Sequence, residues 1–273
     1  MSATFYKQLQ KDVEHVAVSA GKLLTRYQKN AKIVVQKDIG DFATTADIAS
    51  ETLITDFIRH KYPGHSLLAE EGGLTDNHSD YVWIIDPLDG TKEYARGVKE
   101  YNCLIAIEHN KNLIVGVIQR NGLDELYSAA RSQGAKKDGK TIHVSSVSDI
   151  KLSHVGYHLP VGLPPFERSK VEKHFSLLKD LTFACYRLRP SWDDAKSLGY
   201  VASGILEAHI ISAELSNKWH DVAAGLLLVE EAGGQVTHLD GGALSPHDMS
   251  RGFLASNGLL HDELLEIIRK ELL

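Results

Sequence analysis

The chain has few of the residues that mark specialised structural classes. Its only two cysteines, Cys103 and Cys185, stand far apart and lack the spacing of metal-binding motifs. We interpret both as buried small apolar residues rather than a disulfide or a zinc site. No apolar run approaches the ~20 residues that cross a bilayer. Residues 1–11 are polar and show no signal-peptide pattern. We therefore expect a cytoplasmic protein that does not associate with a membrane.

An excess of basic charge is also missing. The sequence has 30 Lys and Arg residues against 36 Asp and Glu residues, a formal net charge of −6, and no basic tract offsets it. Nucleic acid is therefore not expected as the main partner. A small anionic substrate remains compatible with this charge, because a bound metal ion reverses the local field. The 273 residues suffice for one large domain or two closely packed halves.

Hydrophobic periodicity predicts helices and strands along the whole chain. In the first half it indicates amphipathic helices at Phe5–Tyr27 and Thr45–His60. Short apolar runs indicate strands at residues 33–35, 66–69, 82–85, 103–108, 113–119 and 125–129. In the second half, strands at 154–157, 182–186, 207–211 and 253–255 alternate with helices at 167–179, 192–203, 219–232 and 259–270. This order indicates sheets that are covered by helices.

The most informative segment is residues 82–91, where an apolar strand runs into two carboxylates, a glycine and a threonine. Pro87 cannot donate to a sheet ladder, so the strand is predicted to end near Asp86. Side chains alternate along a strand, and Asp86 and Asp89 would otherwise point to opposite faces. A turn at residues 87–88 is predicted to bring the two carboxylates together.

The end of this segment has the chemistry of an anion site. Gly90 permits close approach of the backbone to a ligand. Thr91 stands where an N-cap would open a helix, beside free amide N–H groups. Carboxylates for a hard cation therefore lie next to amides for an anion. We interpret the segment as a place that holds a metal ion and a phosphate together.

Other acidic residues follow predicted strands or begin predicted helices. They are Asp47, the pair Glu70 and Glu71, and Asp221. Ligand sites often gather where strands end and helices begin, and an all-oxygen ligand set suits Mg²⁺. Taken singly, each of these residues has an equally good structural interpretation. Asp221, for example, can simply cap its helix, whose next turn, residues 223–225, is small enough for close packing.

Taken together, the motifs resemble those of the inositol monophosphatase superfamily. The resemblance rests on Asp86-Pro-Leu-Asp-Gly-Thr91, on Asp221-Val-Ala-Ala-Gly225 and on the upstream Glu70 and Asp47, and it runs nearly end to end. It implies an α/β (α+β) sandwich of alternating αβαβα layers. It also implies a single catalytic domain over residues 1–273, with an α+β half at about 1–150 and an α/β half at about 151–273. A homodimer and lithium-sensitive, Mg²⁺-dependent hydrolysis of phosphate monoesters are further implications.

The resemblance assigns roles to individual residues. The metal ligands it implies, for two or three Mg²⁺ ions per site, are Glu70, Asp86, the carbonyl of Leu88, Asp89 and Asp221. Thr91, hydrogen-bonded to Asp47, would act with Glu70 to orient and deprotonate the attacking water. The amides of Gly90 and Thr91 would bind phosphate oxygens. These roles agree with two-metal chemistry, in which one ion activates water and another stabilises the leaving oxygen.

Three nearby residues lie outside these assigned roles. Lys37 matches a lysine of the family's early loop near the metals, and a surface lysine is an equally good interpretation. Glu71 is expected to be a solvated neighbour rather than a ligand. His220 stands where the family commonly has tryptophan, with Trp219 one place earlier. That departure keeps Asp221 in register but leaves the local packing open.

The sequence gives conflicting indications about the substrate. Glu214 lies where polyol phosphatases of the family place a carboxylate, which suits a diol because it accepts two hydrogen bonds. The continuation Thr91-Lys92-Glu93-Tyr94 instead resembles the 3'(2'),5'-bisphosphate nucleotidases. In that case Lys92, Arg187 or Arg189 would pair with the second phosphate. We favour a small polyol or sugar phosphate such as inositol 1-phosphate, and adenosine 3',5'-bisphosphate is the alternative.

A remote alternative is a catalytically silent regulatory or binding protein on the same fold. Loss of a metal carboxylate or of the threonine would favour it, and none of these residues is missing from the sequence. A hydrolase with a covalent nucleophile is not indicated, because no nucleophile-elbow pattern occurs.

Overall fold

The computed structural model describes residues 3–38, 41–159, 168–212 and 218–272. The α-helices there are α1 (Ala3–Tyr27), α2 (Thr45–Lys61), α3 (Thr91–Ala95), α4 (Arg168–Ala184), α5 (Asp194–Ala202), α6 (Trp219–Glu231) and α7 (His261–Leu272). The first strands are β1 (Ile33–Asp38), β2 (Asp41–Thr44), β3 (Ser66–Ala69), β4 (Gly73–Thr75), β5 (Tyr81–Asp89), β6 (Asn102–His109), β7 (Asn112–Arg120) and β8 (Glu125–Ala130). The remaining strands are β9 (Ala135–Lys137), β10 (Lys140–Ile142), β11 (His154–His158), β12 (Arg187–Ser191), β13 (Ala208–Ile211), β14 (Gln235–Thr237) and β15 (Phe253–Ser256).

Two large sheets and one hairpin contain these strands. The larger sheet has the order β10-β9-β8-β7-β6-β5-β3-β4, and it is antiparallel except where β3 lies parallel to β5. The smaller sheet has the order β12-β11-β13-β15-β14, with β11 parallel to both of its neighbours. Strands β1 and β2 form a separate antiparallel pair. The larger sheet comes from residues 66–142 and the smaller one from residues 154–256.

The helices fill three layers around these sheets. Helices α1 and α2 cover one face of the larger sheet, and α5 and α6 pack between its other face and the smaller sheet. Helices α4 and α7 cover the outer face of the smaller sheet. The predicted αβαβα sandwich is therefore confirmed. Helix α6 is apolar on nearly all sides because it lies between two sheets.

Close packing of α6 against β7 depends on a glycine. A Cβ atom added at Gly116 would lie 2.6 Å from the backbone oxygen of Ala224. At the next position of α6, a Cβ atom at Gly225 would lie 2.5 Å from the side chain of Leu198 in α5. The small turn that follows Asp221 therefore packs against its neighbours as its composition indicates.

One predicted strand is wrong. Residues 182–186 were expected to be extended because they are apolar and aromatic, but α4 continues to Ala184 and the strand begins only at Arg187. Leu181 is buried in the core under the smaller sheet, whereas Phe183 is 85% exposed. The local β-propensity is therefore overridden by packing of the last turn of α4.

Both cysteines are buried and free, as expected. In the described part of the chain, no helix combines the length and apolarity needed to span a bilayer.

Candidate active site

The strand β5 does not end at Asp86, and the predicted turn at residues 87–88 is replaced by a β-bulge. Asp86 pairs with Leu104 and Asp89 pairs with Asn102, so three steps along β5 oppose two steps along β6. Pairing with β3 stops at Ile85, so the missing N–H of Pro87 costs no hydrogen bond to β3. The bulge changes the alternation of side chains and so removes the conflict that the turn was predicted to resolve.

The residue after the bulge also differs from the prediction. Gly90, not Thr91, is the N-cap of α3, and its φ of 84° lies in the left-handed region that favours glycine. Thr91 is the first helical residue. Its hydroxyl oxygen lies 3.0 Å from Asp47 Oδ1 and 2.9 Å from the carbonyl oxygen of Leu88. The hydroxyl proton can be donated to either acceptor.

Asp47 has two tasks at the start of α2. Its Oδ2 accepts a 2.8 Å hydrogen bond from the backbone N–H of Thr44, which completes a capping box. Its Oδ1 is the atom that faces Thr91. Burial raises the pKa of the Asp47 carboxyl above its ordinary value, although hydrogen bonds from Thr44 and Thr91 oppose the shift. The helix cap thus fixes the carboxylate that holds Thr91.

Glu70 follows β3 and is held beside β5. Its backbone N–H donates to the carbonyl of Ile85 over 3.1 Å. Lys37 Nζ lies 2.9 Å from Glu70 Oε1 and 2.6 Å from Glu71 Oε1, so this lysine belongs to the site and not to the open surface. Burial favours the neutral form of Glu70, but Lys37 and nearby positive groups outweigh it and lower the Glu70 pKa.

Glu71 is not the solvated neighbour that we expected. Its side chain is only 7% exposed, and its carboxylate is the second partner of Lys37. Its backbone N–H donates to Glu51 Oε2 over 2.9 Å. Glu71 therefore helps to fix Lys37 and the turn after β3.

Asp221 lies in the first turn of α6, the last element that contributes to the site. Its Oδ2 accepts a 2.7 Å hydrogen bond from the backbone N–H of Lys218, so the residue does cap α6. Its Oδ1 lies 3.2 Å from His220 Nε2. One carboxylate oxygen is thus used by the helix start, and the other faces the remaining polar groups.

The carboxylates are close enough together to disturb one another. Burial, joined by the charges of Glu70, Asp89 and Asp221, raises the Asp86 pKa well above its usual range. Burial and the charge of Asp193 do the same for the Asp89 pKa. Burial, helped by Glu70 and Asp194, raises the pKa of Asp221 to about 7.

These groups fit a divalent cation. One carboxylate oxygen each from Glu70 and Asp86 and a ring nitrogen of His220 lie within 4.8 Å of one another. Asp86 Oδ1 also accepts a 3.0 Å hydrogen bond from the backbone N–H of Leu88, which holds the carboxylate in the bulge. A cation would offset the mutual repulsion of carboxylates that otherwise favours their neutral forms. Oxygen donors in this number suit Mg²⁺.

A further set of residues behind the carboxylates was not predicted. Asn102 Nδ2 donates to Asp89 Oδ2 over 2.7 Å and lies 3.2 Å from Asp193 Oδ1. Asp194 lies between two imidazoles, 2.8 Å from His158 Nδ1 and 2.7 Å from His209 Nε2. Asp193 is the N-cap of α5 and Asp194 is its first residue, shortly after the end of β12. This strand-end position is the same signal that identified the other acidic residues.

The predicted substrate-binding residues lie in separate elements or outside the described residues. Lys92 lies in α3 and Arg189 in β12, and both are exposed. Arg187 is exposed too and stacks over the ring of Tyr186, with 5.3 Å between its guanidinium carbon and the ring centroid. Glu214 lies outside the described residues.

Comparison with known proteins agrees with this geometry. The Inositol monophosphatase family profile matches residues 6–273. A Xylella fastidiosa protein named Nus factor SuhB is 37% identical over 227 residues, which are 82% of this chain and 80% of that protein. An Aquifex aeolicus protein named fructose-1,6-bisphosphatase/inositol-1-monophosphatase is 32% identical over 237 residues, 87% of this chain and 85% of that protein.

The fold matches as well. The solved structure of inositol monophosphatase from Anabaena (Nostoc) sp. PCC 7120 superposes with a TM-score of 0.81 at 30% identity, and the match covers 97% of this chain and 96% of that one. Phosphatases of this family are in general Mg²⁺-dependent. The chain therefore belongs to the inositol monophosphatase family and is a phosphatase of phosphate monoesters.

Proposed function

We propose that the chain hydrolyses a small polyol or sugar phosphate, such as inositol 1-phosphate, with Mg²⁺ and a water nucleophile. The position of the Thr91 hydroxyl carries this proposal, because it lies between Asp47 and the carbonyl of Leu88, which is one of the groups that we assign to Mg²⁺. The residues that we assign to Mg²⁺ are Glu70, Asp86, the carbonyl of Leu88, Asp89 and Asp221. When bound, the cations supply a positive field for the phosphate and the leaving oxygen.

The chain's own groups orient the water. When Thr91 donates its proton to Asp47, a lone pair on its hydroxyl oxygen is left to accept a hydrogen bond from water. Lys37 keeps Glu70 ionised, so its carboxylate is available to accept a proton from that water. Two positioned acceptors thus hold the water with a lone pair directed at phosphorus.

The start of α3 completes the site. The first N–H groups of a helix have no intrahelical partner. The left-handed conformation of Gly90 turns the backbone from the bulge into this helix. We assign the amides of Gly90 and Thr91 to the phosphate oxygens, where they stabilise negative charge as it develops.

One relative and one residue of this chain support a polyol or sugar phosphate as the substrate. The Aquifex aeolicus relative is named for fructose 1,6-bisphosphate and inositol 1-phosphate hydrolysis. Glu214, outside the described residues, is the carboxylate that we assign to substrate hydroxyls. The alternative, a 3'(2'),5'-bisphosphate nucleotidase, would use Lys92 or Arg189 to pair with the second phosphate, and both side chains are exposed.

The test is a side-by-side measurement of phosphate release with Mg²⁺ from inositol 1-phosphate, fructose 1,6-bisphosphate and adenosine 3',5'-bisphosphate. We expect the highest kcat/KM with one of the first two. A preference for the nucleotide would replace the proposal by its alternative. Lys92→Ala and Glu214→Gln would then show which residue sets the preference, since each should impair only one substrate class.

The remote alternative is a catalytically silent regulatory protein. One observation favours it, since the Xylella fastidiosa relative is named as a Nus factor. All the carboxylates that we assign to Mg²⁺ are present in the sequence, and together with the Thr91–Asp47 contact they favour an enzyme. Absence of phosphate release from all three esters would support the silent protein. A homodimer and inhibition by lithium are further proposals from family membership, to be checked by light scattering and by an inhibition curve.

A further inference from the structure

The residue before Asp221 gives this site a group that the predicted Mg²⁺ ligands lack. The side chain of His220 is only 8% exposed and lies beside the carboxylates, with Nε2 3.2 Å from Asp221 Oδ1. Trp219 is held elsewhere, because its indole N–H donates to Glu108 over 2.8 Å and its ring lies against His247 and Phe253. The imidazole, and not the indole, therefore faces the cation site.

Two independent observations indicate that the imidazole is positioned to bind a cation. One of its ring nitrogens lies within 4.8 Å of a Glu70 oxygen and an Asp86 oxygen. In addition, Nε2 is buried and, among the described residues, forms no hydrogen bond of acceptable geometry, despite its proximity to Asp221. A buried polar atom without a partner is costly. A cation bound by Nε2 together with the two carboxylates would satisfy it.

We propose that His220 is a metal ligand and that Glu70, Asp86 and His220 form a mixed nitrogen and oxygen site for a first-row transition metal ion. The proposal rests on the cation site described above but not on the identity of the phosphate ester. Mg²⁺ prefers oxygen donors, whereas imidazole suits Zn²⁺, Fe²⁺, Ni²⁺ and Cu²⁺. Mn²⁺ also prefers oxygen donors but accepts an imidazole nitrogen more readily than Mg²⁺ does. The site should therefore bind Mn²⁺ or Zn²⁺ more tightly, relative to Mg²⁺, than an all-oxygen site does.

A competing explanation is that Nε2 donates to Asp221 and only positions this carboxylate. The two roles differ in a spectroscopic readout. Mn²⁺ can be added to untagged, metal-free protein without substrate, and electron spin echo envelope modulation detects nitrogen bonded directly to the ion. We expect a directly bound nitrogen in the wild type, its loss in His220→Phe and in His220→Gln, and its retention in His60→Gln, which changes an exposed histidine of α2.

Metal affinities give the second measurement. We expect His220→Phe to weaken Mn²⁺ binding by about tenfold or more while Mg²⁺ binding changes much less. Melting temperatures of the metal-free variants verify folding, and His220→Gln serves if His220→Phe does not fold. The proposal is overturned if the wild type shows no bound nitrogen, or if Mn²⁺ and Mg²⁺ affinities fall by the same factor. Phosphatase assays do not enter this test, so its failure would leave the proposed hydrolysis untouched.

Discussion

At the scale of single residues, the site depends on side chains that serve structure and chemistry at once. Asp47 caps α2 with one oxygen and holds Thr91 with the other. Asp221 likewise caps α6 with one oxygen and directs the other toward the site. The helix-cap interpretation and the ligand interpretation are therefore compatible, because a carboxylate has two oxygens. Sequence alone presented them as alternatives.

Thr91→Ala removes the hydroxyl that orients the water. We expect kcat for phosphate release to fall by about 10²–10³-fold, a typical loss for a group that takes part in acid–base catalysis. Thr91→Ser keeps the hydroxyl and should retain most of the activity. Thr52→Ala is the matched control, because its exposed hydroxyl only bonds the preceding turn of α2. Equal activity of Thr91→Ala and Thr52→Ala would refute the role of Thr91.

Asp221→Asn removes one charge but keeps an oxygen that can accept the hydrogen bond from Lys218. We expect weaker Mg²⁺ binding and sharply reduced turnover, both measured against the wild type at matched ionic strength. The metal-free variant should melt at the same temperature or higher, because a crowded carboxylate has been neutralised. Wild-type turnover in this variant would contradict the assignment of Asp221 to the metal.

Some residues of the site could be predicted from the sequence and others could not. The carboxylates were predictable because each follows a strand or opens a helix. The role of His220 was not, because its neighbours Glu70 and Asp86 are brought to it only by the pairing of β3 with β5 and by the placement of α6. Asp193 had the right position in the sequence, but its partner Asn102 comes from a distant strand.

At the scale of elements, strand ends were harder to predict than strand positions. Pro87 was expected to stop β5, yet the strand continues through a bulge where the proline needs no ladder bond. The prediction treated the proline as a local signal, whereas pairing with β3 and β6 decides its effect. Tertiary packing also decides where α4 ends, since burial of Leu181 extends the helix over residues that favour strands.

Gly116→Ala tests the packing between α6 and β7. The new methyl group would lie 2.6 Å from the backbone oxygen of Ala224, so helix or strand must move. We expect a loss of about 1–3 kcal/mol in the free energy of unfolding, as for other overpacked interiors, measured by urea denaturation. Gly64→Ala is the control, because a Cβ atom there has no neighbour within 4 Å. Similar stability of both variants would show that the contact is not tight.

At the scale of the whole molecule, both sheets and the helices between them converge on one negatively charged centre. The layer order was predictable from the alternation of elements and the family resemblance. Burial, helped by the charges of Glu70 and Asp194, raises the Asp221 pKa to about 7, well above the value of about 3.9 expected in the unfolded chain. Between these values Asp221 binds more protons in the folded, metal-free protein than in the unfolded chain, so the contribution of Asp221 to stability falls as pH rises through them.

Mg²⁺ should therefore stabilise the protein more at pH 8 than at pH 5.5, because protons compete with the cation at the lower pH. At a concentration about 100 times the dissociation constant, the gain at pH 8 is about 3 kcal/mol, or roughly 5–10 °C in melting temperature. Thermal melts with and without Mg²⁺, at constant ionic strength, measure this. Asp221→Asn should show a smaller difference between the two pH values. A gain in stability that is larger at pH 5.5 would contradict the proton competition.

The most direct test of metal-dependent hydrolysis is to add Mg²⁺ back to metal-free protein and measure phosphate release from inositol 1-phosphate. The wild type and Asp86→Asn are compared. Asp86 lies at the centre of the carboxylate cluster, and its amide substitute keeps nearly the same shape. We predict no release without Mg²⁺, saturable release in the wild type, and release reduced by at least about 10²-fold in the variant. Release without added metal, or equal release from both proteins, would contradict a metal-dependent phosphatase built on these carboxylates.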